Sequence, residues 1–233
     1  METASYIRRR DEIETYFDRT AIDAWKRLTS DEPVSGIRAT VRAGRDRMRQ
    51  TLLSYLPDQL SGWRILDAGC GSGVMAMELA QRGADVLGVD LSPEMIRHAS
   101  EDLPRIDGAG RVTLVSGDML SPAHGEFDAV VSMDALIHYS EPHAREALAN
   151  LAQRTRRSLV FTLAPKTLPL TLMLSIGKVL PRSDRSPCIH PANSARLVRD
   201  LLKSPEMADW RGGQINRISS GFYTSEAVEV VRS

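Results

Sequence analysis

The sequence predicts an α/β fold built on a mostly parallel sheet of seven strands. Between residues 64 and 163, short apolar segments alternate with amphipathic helical segments, which is typical of parallel strands joined by crossover helices. Two more strand-like segments, 214–219 and 227–231, predict a hairpin that completes the sheet. A length of 233 residues with 42% hydrophobic and 26% charged residues suits a single large domain with an appendage.

The composition disfavours several functional classes. Thirty Lys and Arg residues balance thirty Asp and Glu residues, so no global field favours nucleic acid. The only two cysteines, Cys70 and Cys188, predict neither a disulfide framework nor a metal site of the protein. The N-terminus is polar and charged, unlike a signal peptide, and no apolar run reaches membrane-spanning length. We therefore expect a cytoplasmic protein.

The first 60 residues predict a helical cap ahead of a catalytic domain at 61–233. A first helix is indicated by apolar residues around Ile13 and Tyr16, and a second follows the break at Pro33. Four arginines line one face of that second helix, namely Arg38, Arg42, Arg45 and Arg49. A charged stripe of this kind is typical of a solvated helix surface, so we expect these side chains to face water.

The sheet segments follow in order along the chain. The predicted parallel strands cover 64–68, 85–89, 112–116, 127–133 and 158–163. The predicted helices between them cover 74–81, a segment that begins at Pro93, and 141–155. Ser92 is expected to cap the helix that begins at Pro93, because serine before proline favours a helix N-terminus.

Residues 164–192 do not fit this alternation and predict an insertion after the fifth strand. Such an insertion lies over the carboxyl ends of the strands, where open α/β sheets bind ligands. We interpret it as a substrate lid whose apolar side, including Leu172 and Ile176, covers a flat hydrophobic molecule, and whose cations, including Lys166 and Arg182, meet carboxylates. An ordinary helix packed on the core explains the same pattern equally well.

A glycine-rich turn follows the first strand. Asp67 precedes Gly69, Cys70, Gly71 and Gly73, and the second strand ends in an acid. Glycines let a backbone approach a ligand closely, and an acid at the end of the second strand can bind ribose hydroxyls. The G-x-G-x-G spacing and the preceding acid disfavour a pyrophosphate on the helix N-terminus. The turn therefore predicts a nucleotide-type cofactor with a cationic end, and a tight turn without a ligand is the alternative.

This turn resembles the first motif of class I S-adenosylmethionine-dependent methyltransferases. The resemblance implies a Rossmann-like sheet of seven strands, S-adenosyl-L-methionine as cofactor and S-adenosyl-L-homocysteine as product. It also implies that the loop backs the methionine part, that Asp90 binds ribose, and that Asp118 and Met119 hold the adenine. The implied cofactor-binding residues are Asp67, Gly69, Cys70, Gly71, Gly73, Asp90, Leu91, Asp118, Met119 and Met133.

The segment 133–139 leaves the fourth strand at the edge of the sheet where a substrate must approach the cofactor. Its histidine, His138, is the best placed of the five histidines for a catalytic role. A histidine at the start of a helix can instead merely cap it. Tyr16 could donate a hydrogen bond in a closed site, although its spacing alone favours a core aromatic.

The whole chain resembles the magnesium protoporphyrin IX methyltransferase family. The segments that support the resemblance are 16–21 with Trp25, 41–45, 66–73, 133–139, 161–165, 180–185 and 219–223. The resemblance implies methyl transfer to a propionate carboxylate of magnesium protoporphyrin IX in (bacterio)chlorophyll biosynthesis, assisted by His138 and Tyr16. The implied substrate-binding residues are Tyr139, Lys166, Leu172, Ile176 and Arg182.

The same resemblance suggests partners that the residues do not show. These are the porphyrin-binding subunit of magnesium chelatase, as the donor of the substrate, and a peripheral contact with the photosynthetic membrane. Magnesium enters only as part of the porphyrin.

The chemistry needs no strong general base, because a carboxylic acid has a pKa near 4 and is already ionised at neutral pH. We therefore expect His138 to orient the carboxylate. Axial ligation of the magnesium by His138 ranks lower, because magnesium prefers oxygen ligands. Three other functions stay open: methylation of another lipophilic molecule such as a quinone precursor, a nicotinamide-dependent reductase, which Asp67 disfavours, and a porphyrin carrier without activity.

Overall fold

The computed structural model describes residues 8, 10, 11, 13, 36–103, 108, 110–166 and 189–233. Within these ranges the strands are β1 (Arg64–Ala68), β2 (Asp85–Asp90), β3 (Arg111–Ser116), β4 (Phe127–Ser132), β5 (Thr155–Leu163), β6 (Trp210–Ser220) and β7 (Tyr223–Arg232). The α-helices of eight residues or more in these ranges are α1 (Ile37–Leu53), α2 (Val74–Gln81), α3 (Pro93–Glu101), α4 (Glu141–Gln153) and α5 (Ser194–Leu201).

The strands form one seven-stranded sheet in the order β3-β2-β1-β4-β5-β7-β6. β1 to β5 are mutually parallel, whereas β7 pairs antiparallel with both β5 and β6. The predicted mostly parallel sheet with a terminal hairpin is confirmed. Strand β6 begins four residues before the predicted start at 214 and contains a register shift between Gly212 and Ile215, because two consecutive glycines break the alternation by which a strand is recognised.

Two hydrophobic clusters cover the two faces of the sheet. Leu66 and Val130 belong to one cluster, and their neighbours Ile65 and Val131 belong to the other, as expected when successive side chains of a strand point to opposite faces. Helices α4 and α5 pack on the first face, and α1 and α2 pack on the second. Because β1 to β5 are parallel, their carboxyl ends lie at the same edge of the sheet.

Helix starts follow local capping. The Ser92 hydroxyl accepts a 3.1 Å hydrogen bond from the Met95 amide, as predicted, and Asn193 caps α5 by accepting from the Arg196 amide at 2.9 Å. The sequence reasoning missed α5, because its eight residues directly follow the proline-punctuated insertion. Each helix within the described ranges is too short or too polar to cross a lipid bilayer.

Two arginines of the predicted stripe on α1, Arg45 and Arg49, do not face water. Arg45 and Arg49 are only 17% and 19% exposed, and they form ion pairs with Asp134 at 2.8 Å and Glu78 at 2.5 Å. The expectation of a solvated surface was wrong, because the helix packs against the β6–β7 hairpin: a Cβ at Gly44 would lie 2.7 Å from Cδ1 of Tyr223. Helix α1 is therefore docked against the hairpin and the end of β4.

Candidate active site

A cavity of about 660 Å³, including its open mouth, lies at the carboxyl ends of β1, β2 and β4. The chain order reverses at β1, whose neighbours are β2 and β4, and open α/β sheets bind ligands at such a point. The residues that line the cavity are Ile13, Gly69, Gly71, Val89, Asp90, Leu91, Met95, Gly117, Asp118, Met119, Met133, Asp134, Ala135, His138 and Tyr139.

The glycine loop forms one wall of the cavity. Gly69 has a φ of 79°, and a Cβ placed there would lie 2.4 Å from Cβ of Ala135. A side chain at Gly69 would therefore force apart the glycine loop and the loop after β4, besides straining the backbone. This close approach leaves backbone, rather than side chain, facing the cavity.

Asp90 holds the glycine loop and the start of α3 together. Its Oδ2 accepts from the Gly71 amide at 2.9 Å, and its Oδ1 accepts from the Ser92 amide at 3.0 Å. Burial raises the pKa of this carboxyl, and the backbone donors partly oppose that effect. Each oxygen keeps a lone pair that can accept from a ligand hydroxyl.

Asp67 is only 1% exposed, and its Oδ2 has no hydrogen-bond partner within the described part of the chain. Burial, with the nearby Asp90 charge, raises the pKa of Asp67 to about 7. A buried carboxylate oxygen without a donor is costly, so it favours a cationic ligand group that can supply one. Asp67 lies behind the cavity wall rather than in it.

Two other residues predicted to bind the cofactor also lie outside the cavity wall. Cys70 is buried, with its Sγ beside Gly88, and burial raises its pKa so that the thiol stays protonated. Gly73 precedes α2 as its N-terminal cap residue. Both residues lie on the side of the glycine loop away from the cavity wall, and a direct contact with a ligand stays a prediction for each.

The loop after β3 forms the opposite wall. Asp118 accepts from the Leu120 amide at 2.8 Å and from Arg10 Nη1 at 3.2 Å, and Met119 is buried beside it. Ile13 also lines the cavity. Arg10 and Ile13 therefore lie at the part of the cavity to which the family resemblance assigns the adenine.

The third wall is the segment after β4. His138 and Tyr139 are 7% and 5% exposed and both line the cavity. A 3₁₀ turn at Leu136–His138 holds them, with the His138 amide donating to the Ala135 carbonyl at 3.2 Å. The predicted candidates Met133, His138 and Tyr139 thus meet the glycine loop in one cavity.

The other predicted site residues lie either outside the cavity wall or outside the described residues. Lys166 is exposed and does not line the cavity, and its amide donates to the Ala192 carbonyl at 3.1 Å. Four predicted residues, Tyr16, Leu172, Ile176 and Arg182, lie outside the described residues, as does most of the predicted lid.

Sequence reasoning assigned no role to Asp134, although it lines the cavity. It has a φ of 57°, and it is the only non-glycine residue with a positive φ in the described ranges. Its carboxylate contacts Arg45 at 2.8 Å and the Tyr223 hydroxyl at 3.1 Å. An acid directly after a buried strand was the available signal, but its partners could not be read from spacing.

Comparisons with known proteins place the chain among methyltransferases. Residues 65–158 match a family model described as a methyltransferase domain, and residues 132–232 match one described as the magnesium-protoporphyrin IX methyltransferase C-terminus. A magnesium-protoporphyrin O-methyltransferase of Rhodobacter capsulatus is 47% identical over 231 residues, covering 97% of this chain and 98% of that protein.

Two crystal structures of magnesium protoporphyrin IX methyltransferase from Synechocystis PCC 6803 are similar in fold. The structure with bound SAH has a TM-score of 0.81 at 29% identity and covers 96% of this chain and 99% of that one. The structure with bound SAM has a TM-score of 0.76 at 26% identity and covers 97% of each chain.

Proposed function

Because the chain belongs to the magnesium-protoporphyrin O-methyltransferase family, we propose that it transfers a methyl group from S-adenosylmethionine to a propionate carboxylate of magnesium protoporphyrin IX, yielding the monomethyl ester in (bacterio)chlorophyll biosynthesis. The fold is that of a class I S-adenosylmethionine-dependent methyltransferase, and S-adenosylmethionine is its cofactor. The observation that carries the proposal is that the glycine loop, Asp90 and His138 line one and the same cavity.

The residues present fit the cofactor. The close packing of Gly69 on Ala135 leaves backbone facing the cavity, and the buried, unpartnered oxygen of Asp67 lies behind the glycine loop, where it would favour a cationic amino group. Asp90 would bind the ribose, and Asp118 with Met119 would hold the adenine. When bound, S-adenosylmethionine supplies an electrophilic methyl carbon.

His138 and Tyr16 would orient the substrate carboxylate by hydrogen bonds. The nucleophile is already ionised, so the protein must supply alignment and exclude water, and alignment can contribute about 7–11 kcal/mol to such a step. The hydrogen bonds must not be too strong, because the carboxylate loses its charge in the transition state and ground-state stabilisation would slow the reaction. The burial of His138 beside the glycine loop supports this role.

We further propose that the N-terminal region 1–60 and the segment 164–192 close over the porphyrin. Two contacts support this division of the chain into a cap, a lid and a catalytic domain. Arg10 hydrogen-bonds Asp118 at the cavity, and the His190 amide, at the end of the segment, donates to the Ile137 carbonyl at 2.8 Å.

The decisive experiment is the mass of magnesium protoporphyrin after incubation with the protein and S-adenosylmethionine. We expect the mass of one added methylene. His138→Ala should lower kcat by about 100-fold, the loss that misplacement of a reacting group can cause, while S-adenosylhomocysteine affinity by calorimetry stays near wild type. His98→Ala, on the surface of α3, is the control. Equal loss of cofactor affinity and kcat in His138→Ala would refute the role.

A final proposal concerns delivery of the substrate. A porphyrin is sparingly soluble, so direct transfer from the porphyrin-binding subunit of magnesium chelatase, at the surface of the photosynthetic membrane, would avoid its release into water. Co-sedimentation with that subunit and with membrane vesicles tests both contacts. Rates that do not change when the porphyrin is presented on the subunit would contradict the transfer.

A further inference from the structure

Three segments that lie far apart in the sequence meet at the carboxylate of Asp134. Arg45 belongs to α1, Tyr223 begins β7, and Asp134 lies two residues after the end of β4. Both partners are 89 residues away from Asp134 in sequence. Each of the three residues lies in a segment that supports the family resemblance (41–45, 133–139 and 219–223). The described site therefore depends on contacts that no local motif contains.

Asp134 is held at its backbone amide and at both carboxylate oxygens. Its amide donates to Oγ1 of Thr162 at 2.7 Å, Oδ2 accepts from Arg45 at 2.8 Å and Oδ1 accepts from the Tyr223 hydroxyl at 3.1 Å. These bonds hold a φ of 57°, a conformation that a non-glycine residue adopts at a cost. Because three separate elements hold this strained residue, the backbone conformation of Asp134 indicates a functional constraint rather than an accident of packing.

The direction of the chain at Asp134 decides where His138 lies. The next residue, Ala135, packs against Gly69 of the cofactor loop and begins the 3₁₀ turn that ends at His138. A rotation of the backbone at Asp134 would therefore move His138 and, at the same time, loosen the contact between Ala135 and the glycine loop. The ring of Tyr223 packs against Gly44. The positions of α1 and of the β6–β7 hairpin therefore also determine where the Asp134 carboxylate is held.

The charge of Asp134 matters as well as its position. Asp134 lines the cavity, and its side chain is 6% exposed, so water screens it weakly. A substrate that reacts through a carboxylate would be repelled by this carboxylate, and close like charges cost several kcal/mol. Arg45, reaching Asp134 from α1, cancels that repulsion without itself lining the cavity.

We propose that Arg45, Asp134 and Tyr223 form a positioning cluster that sets the loop carrying His138 and neutralises Asp134 where an anionic substrate approaches. The inference rests on the proposed function, because it needs a substrate with a carboxylate. It adds three residues that lie outside the predicted catalytic and cofactor-binding sets, and it assigns a role to an arginine of α1.

The test compares charge-removing substitutions at the two ends of the ion pair. Arg45→Gln leaves an unneutralised acid, so KM for magnesium protoporphyrin should rise about ten-fold, the scale of coupling between contacting residues. Asp134→Asn keeps the amide donor and a residue type that tolerates positive φ, but it removes the negative charge at the cavity, so KM should stay constant or fall. Both single variants should lower kcat.

The double variant Arg45→Gln/Asp134→Asn removes both charges and can hydrogen-bond as an amide pair, so KM should return to within about three-fold of wild type, a recovery that independent sites would not give. Tyr223→Phe keeps the ring on Gly44 and removes the hydroxyl, so kcat should fall while KM stays constant. Arg49→Gln is the matched control, since Arg49 has similar burial on the same helix and pairs with Glu78 instead.

If the cluster has only a structural role, both single variants should move KM in the same direction, and the effect of the double variant on KM should equal the two single effects combined. Either result would overturn the inference. Melting temperatures and S-adenosylhomocysteine affinity verify that each variant is folded, and fluorescence quenching measures porphyrin affinity without turnover. Wild-type protein that binds S-adenosylhomocysteine but never adds a methyl group would instead refute the proposed function, and the charge role with it.

Discussion

A side chain at Gly69 should damage both stability and cofactor binding. Gly69→Ala places a residue at φ 79°, which costs about 1–2 kcal/mol for an L-residue. The new Cβ would also lie 2.4 Å from Cβ of Ala135, and overpacking of this kind costs about 1–3 kcal/mol. The unfolding free energy should therefore fall by about 2–5 kcal/mol in total, which corresponds to a fall in Tm of about 4–20 °C for a chain of this size.

Gly62 provides a matched control for this substitution. Its φ is 80°, nearly the same as that of Gly69, but an added Cβ would meet nothing within 4 Å. Gly62→Ala should therefore lower Tm by only about 2–8 °C, the backbone cost alone, and should leave cofactor affinity unchanged. The difference between the two variants isolates the contact between the glycine loop and Ala135.

Calorimetry with S-adenosylhomocysteine and thermal unfolding measure the two effects. A loop displaced by about 1 Å can lower kcat/KM by about 100-fold, and we expect affinity to fall with it. Adding Ala135→Gly should restore both quantities in part, because the nearest remaining atom, Cα of residue 135, lies at 3.7 Å. Wild-type affinity in Gly69→Ala, or no recovery in the double variant, would refute the reasoning.

Three further predictions follow from the buried polar groups. Burial, with a neighbouring carboxylate, raises the pKa of Asp67 from 3.8 to about 7, so the folded protein without cofactor binds an extra proton between pH 4 and 7. Its stability should therefore fall as pH rises through that window, by on the order of 4 kcal/mol, and denaturant unfolding of Asp67→Asn should lack this slope. Thr162→Val removes the acceptor of the Asp134 amide and should cost about 1–3 kcal/mol of unfolding free energy, with a lower kcat; an unchanged kcat would contradict the role of the loop. Ser92→Ala removes the cap on the Met95 amide and should cost about 1 kcal/mol, with no change in kcat; a loss below the error of a urea titration would show the cap to be unimportant.

Local signals were sufficient for most of the sheet. The boundaries of β1 and α2 were predicted to the residue, because three glycines within residues 69–73 separate a buried strand from its helix. Helix α4 ends two residues before the predicted end, and residues 155–157 instead begin β5. Residues 153–157 are all polar and show neither a helical nor a strand period, so pairing with β4 decides between the two elements.

The candidate site was predictable only where it is local in sequence. The glycine loop and Asp90 are separated by one strand–helix–strand unit, so the chain order alone brings them together. The contacts of Arg45 could not be found in this way, since helical spacing indicates which face a residue occupies and not what covers that face. The same limit applies to Arg10, whose hydrogen bond with Asp118 spans 108 residues.

The charges around the cavity explain how one cavity can accept both a cation and an anion. The described residues that line it include Asp90, Asp118 and Asp134 but no lysine or arginine. Each acid is compensated from outside the cavity: Asp90 by backbone amides, Asp118 by Arg10 and Asp134 by Arg45. The wall therefore offers acceptor oxygens to a sulfonium cofactor without presenting bare negative charge to a carboxylate substrate. Because the attraction between sulfonium and carboxylate is lost as the methyl moves, a nearly neutral wall avoids stabilising the reactants more than the transition state.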